Sequence, residues 1–179
     1  IEQEARLAGA NAFISKPMLQ STIYQTLVSV TRKFHKIESV SSTAHDLSGK
    51  HILVAEDNAL NQEIMEALLK TAGATVDIAG DGLAVVNKFA ASSVGTYDLI
   101  LMDIQMPYQD GYEATRTIRR LSRPDALGIP IVAMTANVFA DDVVKAKKAG
   151  MNGHLGKPVD IKSLYQMISE QLEKTEHET

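Results

Sequence analysis

From His51 onward, short apolar runs alternate with amphipathic stretches. His51–Ala55, Thr75–Ala79, Tyr97–Asp103, Ile129–Thr135 and Gly153–Leu155 read as five short strands. Between and after them, Asn58–Ala72, Gly82–Ala91, Tyr112–Leu121, Ala140–Ala149 and Ile161–Leu172 carry apolar residues at helical spacing, as in Ile64, Leu68, Leu69 and Ala72. Gly73 and Gly150 stand where helices should stop, and Pro107 and Pro130 mark loop edges. Asp141 and Asp142 open the fourth helix and Lys145, Lys147 and Lys148 close it, an order that suits the helix dipole. Five βα units in succession predict an α/β fold, a doubly wound parallel sheet covered on both faces. In such a sheet the functional site lies beyond the carboxyl ends of the strands.

Upstream, residues 34–49 are polar and rich in Ser and Thr, and read as a linker. Before the linker the chain repeats itself. Ala5–Pro17 aligns without gaps on Ala146–Pro158, with Ala5/Ala146, Ala8/Ala149, Gly9/Gly150, Asn11/Asn152 and both Lys-Pro pairs identical. Residues 1–33 therefore read as the helix-strand-helix remnant of a second copy of the domain that occupies residues 50–174. Residues 175–179 form a charged tail. The chain does not begin with Met, so we expect a segment of a longer protein.

Composition narrows the function classes. Apolar residues are 45% and charged residues 22% of the 179, which suits a globular core. With 18 basic and 22 acidic residues the net charge is −4, and no basic face suggests a nucleic acid or an anionic membrane as partner. The absence of Cys excludes disulfides, thiolate metal sites and a Cys nucleophile, and points to a cytoplasmic setting. No apolar run is long enough to span a membrane. The five His residues are scattered and show no metal-ligand spacing.

The predicted strand ends carry the chemistry. Glu56 and Asp57 follow the first strand, Asp103 ends the third, Thr135 ends the fourth and Lys157 follows the fifth. Each alone has an ordinary explanation: a helix cap, a turn acid, a β-branched strand residue, a surface charge. Gathered by the fold, they become a set. Three neighbouring acids repel and call for a hard cation such as Mg²⁺, which takes carboxylate oxygens, water and phosphate. A Lys ammonium and a Thr hydroxyl opposite them would meet phosphoryl oxygens. The set suits phosphoryl transfer to a carboxylate. No P-loop or dinucleotide fingerprint is present, so the phosphoryl group is expected to arrive on a donor.

Glu56-Asp57, Asp103 with Met106-Pro107 and Asp110-Gly111, Thr135-Ala136, and Lys157-Pro158 resemble the receiver domains of two-component response regulators. The resemblance covers about residues 50–174. It implies a flavodoxin-like sheet of strand order 2-1-3-4-5, with Asp103 as phosphoacceptor and Glu56 and Asp57 as the Mg²⁺-binding acids. Gln105 would offer its backbone carbonyl to the metal. Thr135 would be the switch hydroxyl, with small Ala136 leaving access beside it. Lys157 would hold the acyl phosphate, with a cis Lys157-Pro158 bond. At the aromatic switch position the chain departs from the family and has His154; the truncated copy has Phe13 there.

The wording ILVAEDN, MDIQMP and MTAN, and the tandem copy, resemble the receivers of hybrid sensor histidine kinases. The implied partners are a histidine kinase domain, in cis or in trans, and a histidine phosphotransfer domain; neither nucleic acid nor membrane contact is expected of this segment. Leu60 and Ile64 on the first helix could face such a partner. Two other readings remain: a catalytically silent receiver used for docking, and a haloacid-dehalogenase-like phosphatase, whose DxD pattern does not match Glu56-Asp57-Asn58.

Overall fold

A computed structural model describes residues 46–136 and 140–177. The repeat remnant at 1–33 and most of the expected linker lie outside these residues.

The described chain runs β1 (His51–Ala55), α1 (Ala59–Thr71), β2 (Thr75–Ala79), α2 (Gly82–Ala91), β3 (Leu99–Asp103), α3 (Gly111–Arg119), β4 (Ile131–Thr135), α4 (Ala140–Ala149), β5 (Gly153–Gly156) and α5 (Ile161–His177). The five strands form one parallel sheet in the order β2-β1-β3-β4-β5, as expected.

Strand alternation splits the core into two layers. Ile52, Val54, Leu99, Leu101, Val132 and Met134 face α1 and α5, where Met65, Leu69, Leu164 and Ile168 cover them. Leu53, Ile100, Met102, Ile131 and Ala133 face the other side, against Val85 and Phe89 of α2, Ala114 and Ile118 of α3 and Ala146 of α4. All five residues of β3 are buried, which fixes Asp103 at the end of the most enclosed strand.

Several boundaries differ from the sequence reading. β3 begins at Leu99 rather than Tyr97, and β4 at Ile131 rather than Ile129. Pro130 has no N–H to give the ladder and contributes only its carbonyl, which accepts from Ile100. Asp98 uses its carboxylate to accept from the His51 N–H at 2.7 Å. α5 continues five residues past Leu172, to His177, because the charged Glu and Lys residues of the tail are good helix formers. Leu47 falls within the expected linker, yet it is 2% exposed and its N–H donates to the Ala72 carbonyl at 2.8 Å. The folded unit thus starts before residue 50.

Gly111 ties the sheet to the helix beneath the site. A Cβ placed there would lie 2.2 Å from the Asp103 carbonyl oxygen, which is backbone and cannot swing aside. The Gly111 N–H donates to the Ile104 carbonyl at 2.9 Å. Gly111→Ala is expected to cost roughly 1–3 kcal/mol through this overlap, read as a lower denaturant midpoint. It should also slow chemistry at Asp103, because the strand end must shift.

Candidate active site

Sheet register assembles the site. Ala55 pairs with Met102, so Glu56 leaves β1 beside Asp103 on β3. Asp103 pairs with Met134, and Thr135 with Gly156, which brings Thr135 and Lys157 to the same edge. The parallel ladder delivers four consecutive strand ends to one rim. Lys157 starts two strands away from Asp103, so only a long side chain spans the gap.

Lys157 Nζ donates to Glu56 Oε2 and to Asp103 Oδ2, both at 2.6 Å. Glu56 is 1% exposed and Asp103 4%, so this single ammonium bridges two carboxylates that have almost no water. Burial pushes the Asp103 carboxyl above its ordinary value, outweighing the opposing pull of Lys157. Burial alone would lower Lys157; its hydrogen bonds to Asp103 and Glu56 overcome that and raise it.

The remaining oxygens are also engaged. Asp103 Oδ1 accepts from the Gln105 N–H at 3.1 Å. Glu56 Oε1 accepts from Asn61 Nδ2 at 2.9 Å and from the Asn58 N–H at 3.3 Å. The Glu56 carbonyl accepts from Gln62 Nε2 at 2.6 Å. Exposed Asp57 completes the acid cluster: Glu56, Asp57 and Asp103 each offer a carboxylate oxygen within 4.8 Å of the others. Such oxygens suit a hard divalent cation, and the cluster could hold one. Thr135 lies half-buried at the end of β4, with exposed Ala136 next to it, and its carbonyl accepts from the Lys157 N–H at 2.7 Å. The Lys157-Pro158 bond is cis.

Glu56, Asp57, Asp103, Gln105, Thr135 and Lys157 thus lie at one rim of the sheet. His154 is half-buried on β5 and lines an open groove with Ser163, Gln166, Met167 and Glu170 of α5. Asn61 and Gln62 escaped the sequence reading. Asn61 is the third residue after the N-cap Asn58, where a polar side chain commonly bends back over the helix start. That position was the available signal.

The loop after β3 presents an aromatic. Tyr108 has φ 65 and is 91% exposed. The Gln109 N–H donates to the Pro107 carbonyl at 2.7 Å, and Gln109 Nε2 to Thr117 Oγ1 at 2.9 Å, which holds the turn from below. A bulky residue at positive φ is strained.

Comparison with known proteins agrees with this geometry. The family model described as response regulator receiver domain matches residues 52–169. Hybrid signal transduction histidine kinase I of Dictyostelium discoideum is 38% identical over 139 residues, covering 74% of this chain and 8% of that protein. Probable histidine kinase 2 of Oryza sativa subsp. indica is 38% identical over 133 residues, covering 68% of this chain and 13% of that protein. The chain therefore spans only a small part of the curated relatives it matches. Among solved structures, the receiver domain of a sensor histidine kinase from Pseudomonas aeruginosa PAO1 is 37% identical, with TM-score 0.62 over 70% of this chain and 98% of that one. It is described with a magnesium ion coordinated in its active site cleft. A CheY-like receiver from Methanospirillum hungatei JF-1 is 25% identical, with TM-score 0.65 over 73% of this chain and 98% of that one.

Proposed function

This chain belongs to the family of response regulator receiver domains, and from that premise we propose that it takes a phosphoryl group from a phosphohistidine donor onto Asp103, as one station of a hybrid histidine kinase phosphorelay. The observation that carries the assignment is the bridge of Lys157 between buried Glu56 and Asp103, with Asp57 completing the acid cluster. An Asp103 oxygen forms the new bond to phosphorus while the bond from phosphorus to the donor imidazole nitrogen breaks. The electron pair stays on that nitrogen, which takes a proton from solvent.

Mg²⁺, held by Glu56, Asp57, Asp103 and the Gln105 carbonyl, would supply positive charge against the phosphoryl oxygens. Lys157 supplies a second positive charge from the opposite side and, once phosphorylated Asp103 carries the extra charge, follows it away from Glu56. The Thr135 hydroxyl donates to a phosphoryl oxygen and carries the change to β4. His154 stands where an aromatic would report that change.

The exposed residues around the rim fit a helical partner. Leu60 is 48% exposed at the start of α1, Ile64 is half-buried one turn on, and Tyr108 projects from the β3–α3 loop. They offer apolar anchors on the segments that follow β1 and β3 for a helix that presents the donor or acceptor histidine, in a kinase domain or a histidine phosphotransfer domain. No described helix is long and apolar enough to cross a membrane.

The test is transfer from a protein donor. A histidine phosphotransfer domain carrying phosphohistidine, mixed with this chain and Mg²⁺, is expected to lose its label to the chain within minutes, and chelation should stop the transfer. A folded chain that stays unlabelled, yet binds the same partner, would instead favour a silent docking module.

A further inference from the structure

Glu56 is controlled from two sides. Its Oε2 faces the acid cluster and accepts from Lys157, while its Oε1 faces α1 and accepts from Asn61 Nδ2. The Asn61 amide is itself anchored, because Asn61 is in the first turn of α1 and its backbone N–H donates to the N-cap side chain of Asn58 at 3.2 Å. The next residue, Gln62, holds the Glu56 carbonyl, so two adjacent amides grip one carboxylate residue by its side chain and its backbone.

A glutamate needs this more than an aspartate would. Its extra methylene adds a rotatable bond, and ordering a flexible acid costs binding free energy. Whatever cation joins the cluster competes with Lys157 for Oε2. If Lys157 alone oriented the carboxylate, its departure would leave Glu56 loose at the moment it is required. The Asn61 bond on the other oxygen does not compete with that exchange.

Resting on the reading of Glu56 as a metal-binding acid, we infer that Asn61 is a positioning residue: by holding Glu56 Oε1 it aims Oε2 into the acid cluster and sets the affinity of the site for a divalent cation. Partners of this kind, one bond removed from a ligand, typically govern affinity by about 10–100-fold.

The test is calorimetric titration of the full chain with Mg²⁺ and with Mn²⁺, without any phosphoryl donor. Asn61→Leu keeps the side chain's bulk and removes its donor; Asn61→Ala is the second variant, in case the first does not fold. Glu66→Ala on the same helix, which removes the exposed ion pair with Lys70, is the control. Both Asn61 variants should bind each cation about tenfold or more weakly, with the control unchanged and the variants still folded in the absence of metal. Unchanged cation affinity in the Asn61 variants, beside normal binding by the unaltered chain, overturns the inference alone. Loss of metal-free stability with unchanged affinity does the same, by showing that the amide merely satisfies a buried oxygen. Failure of the unaltered chain to bind either cation removes the metal-site reading itself, and this inference with it.

Discussion

Replacing Asp103 by Asn is expected to abolish phosphoryl uptake from any donor and, in the same protein, to raise the unfolding temperature. The first effect follows because the amide oxygen carries no negative charge and is no nucleophile towards phosphorus. The second follows from the burial of the carboxyl, which lifts its pKa and makes its ionised form a cost to the folded state. The sign fixes the pH window. Below the ordinary aspartate pKa the carboxyl is neutral in both states and exacts nothing. As pH rises from there through the raised folded-state pKa, the unfolded chain releases its proton more readily, and the fold loses stability. Asp103→Asn removes that loss, so its advantage should be absent well below the ordinary aspartate pKa and should grow as pH rises through the raised folded-state pKa. In a domain of this size each kcal/mol of such a gain raises the unfolding temperature by roughly 2–8 °C. Thermal melts of both proteins across that range check the sign, and phosphorylation assays check the loss.

Lys157→Ala should act in the opposite sense on stability. It leaves Glu56 and Asp103 facing each other with almost no exposure and no cation between them. Removing one partner from a buried ionic set costs about 3–5 kcal/mol. Lys157 itself retains some solvent contact, so roughly 2–4 kcal/mol is the expected loss at neutral pH. The deficit should shrink as acid protonates Asp103, and shrink again with millimolar Mg²⁺, since a divalent cation supplies the missing charge. Phosphoryl uptake should slow by on the order of 10²-fold, the usual effect of losing one charged donor to a transferring group. Urea unfolding with and without Mg²⁺ separates the two roles. A variant as stable as the unaltered chain would mean that the bridge holds nothing together.

The two predictions rest on residues whose placement the sequence makes legible for a definable reason. A parallel strand buried on both faces must be apolar throughout, so a carboxylate at its end, as at Asp103, interrupts an otherwise uniform pattern. Once the strands are ordered, register alone puts Glu56 beside Asp103 and Thr135 beside Lys157. The order itself came with the family resemblance, because periodicity locates strands without pairing them. Leu47 was illegible: one apolar residue in a polar stretch has no period, and its burial depends on the Ala72 carbonyl reached through the fold. Likewise the end of α5 was hidden, since a charged amphipathic tail can continue a helix or leave it. Asn61 and Gln62 read as polar positions of an amphipathic helix, and only the return of α1 past the end of β1 gives them a carboxylate to hold. Tyr108 carries no sequence signal for its positive φ, which the surrounding turn imposes.

The most direct test of the account is the intact mass of the full chain after incubation with acetyl phosphate, with and without Mg²⁺, followed by proteolysis to locate the added group. A gain of one phosphoryl mass, about 80 Da, that requires Mg²⁺ and maps to the peptide containing Asp103 is the expected result. A well-folded chain that gains no mass, or one whose added group lies elsewhere or persists in Asp103→Asn, would contradict it.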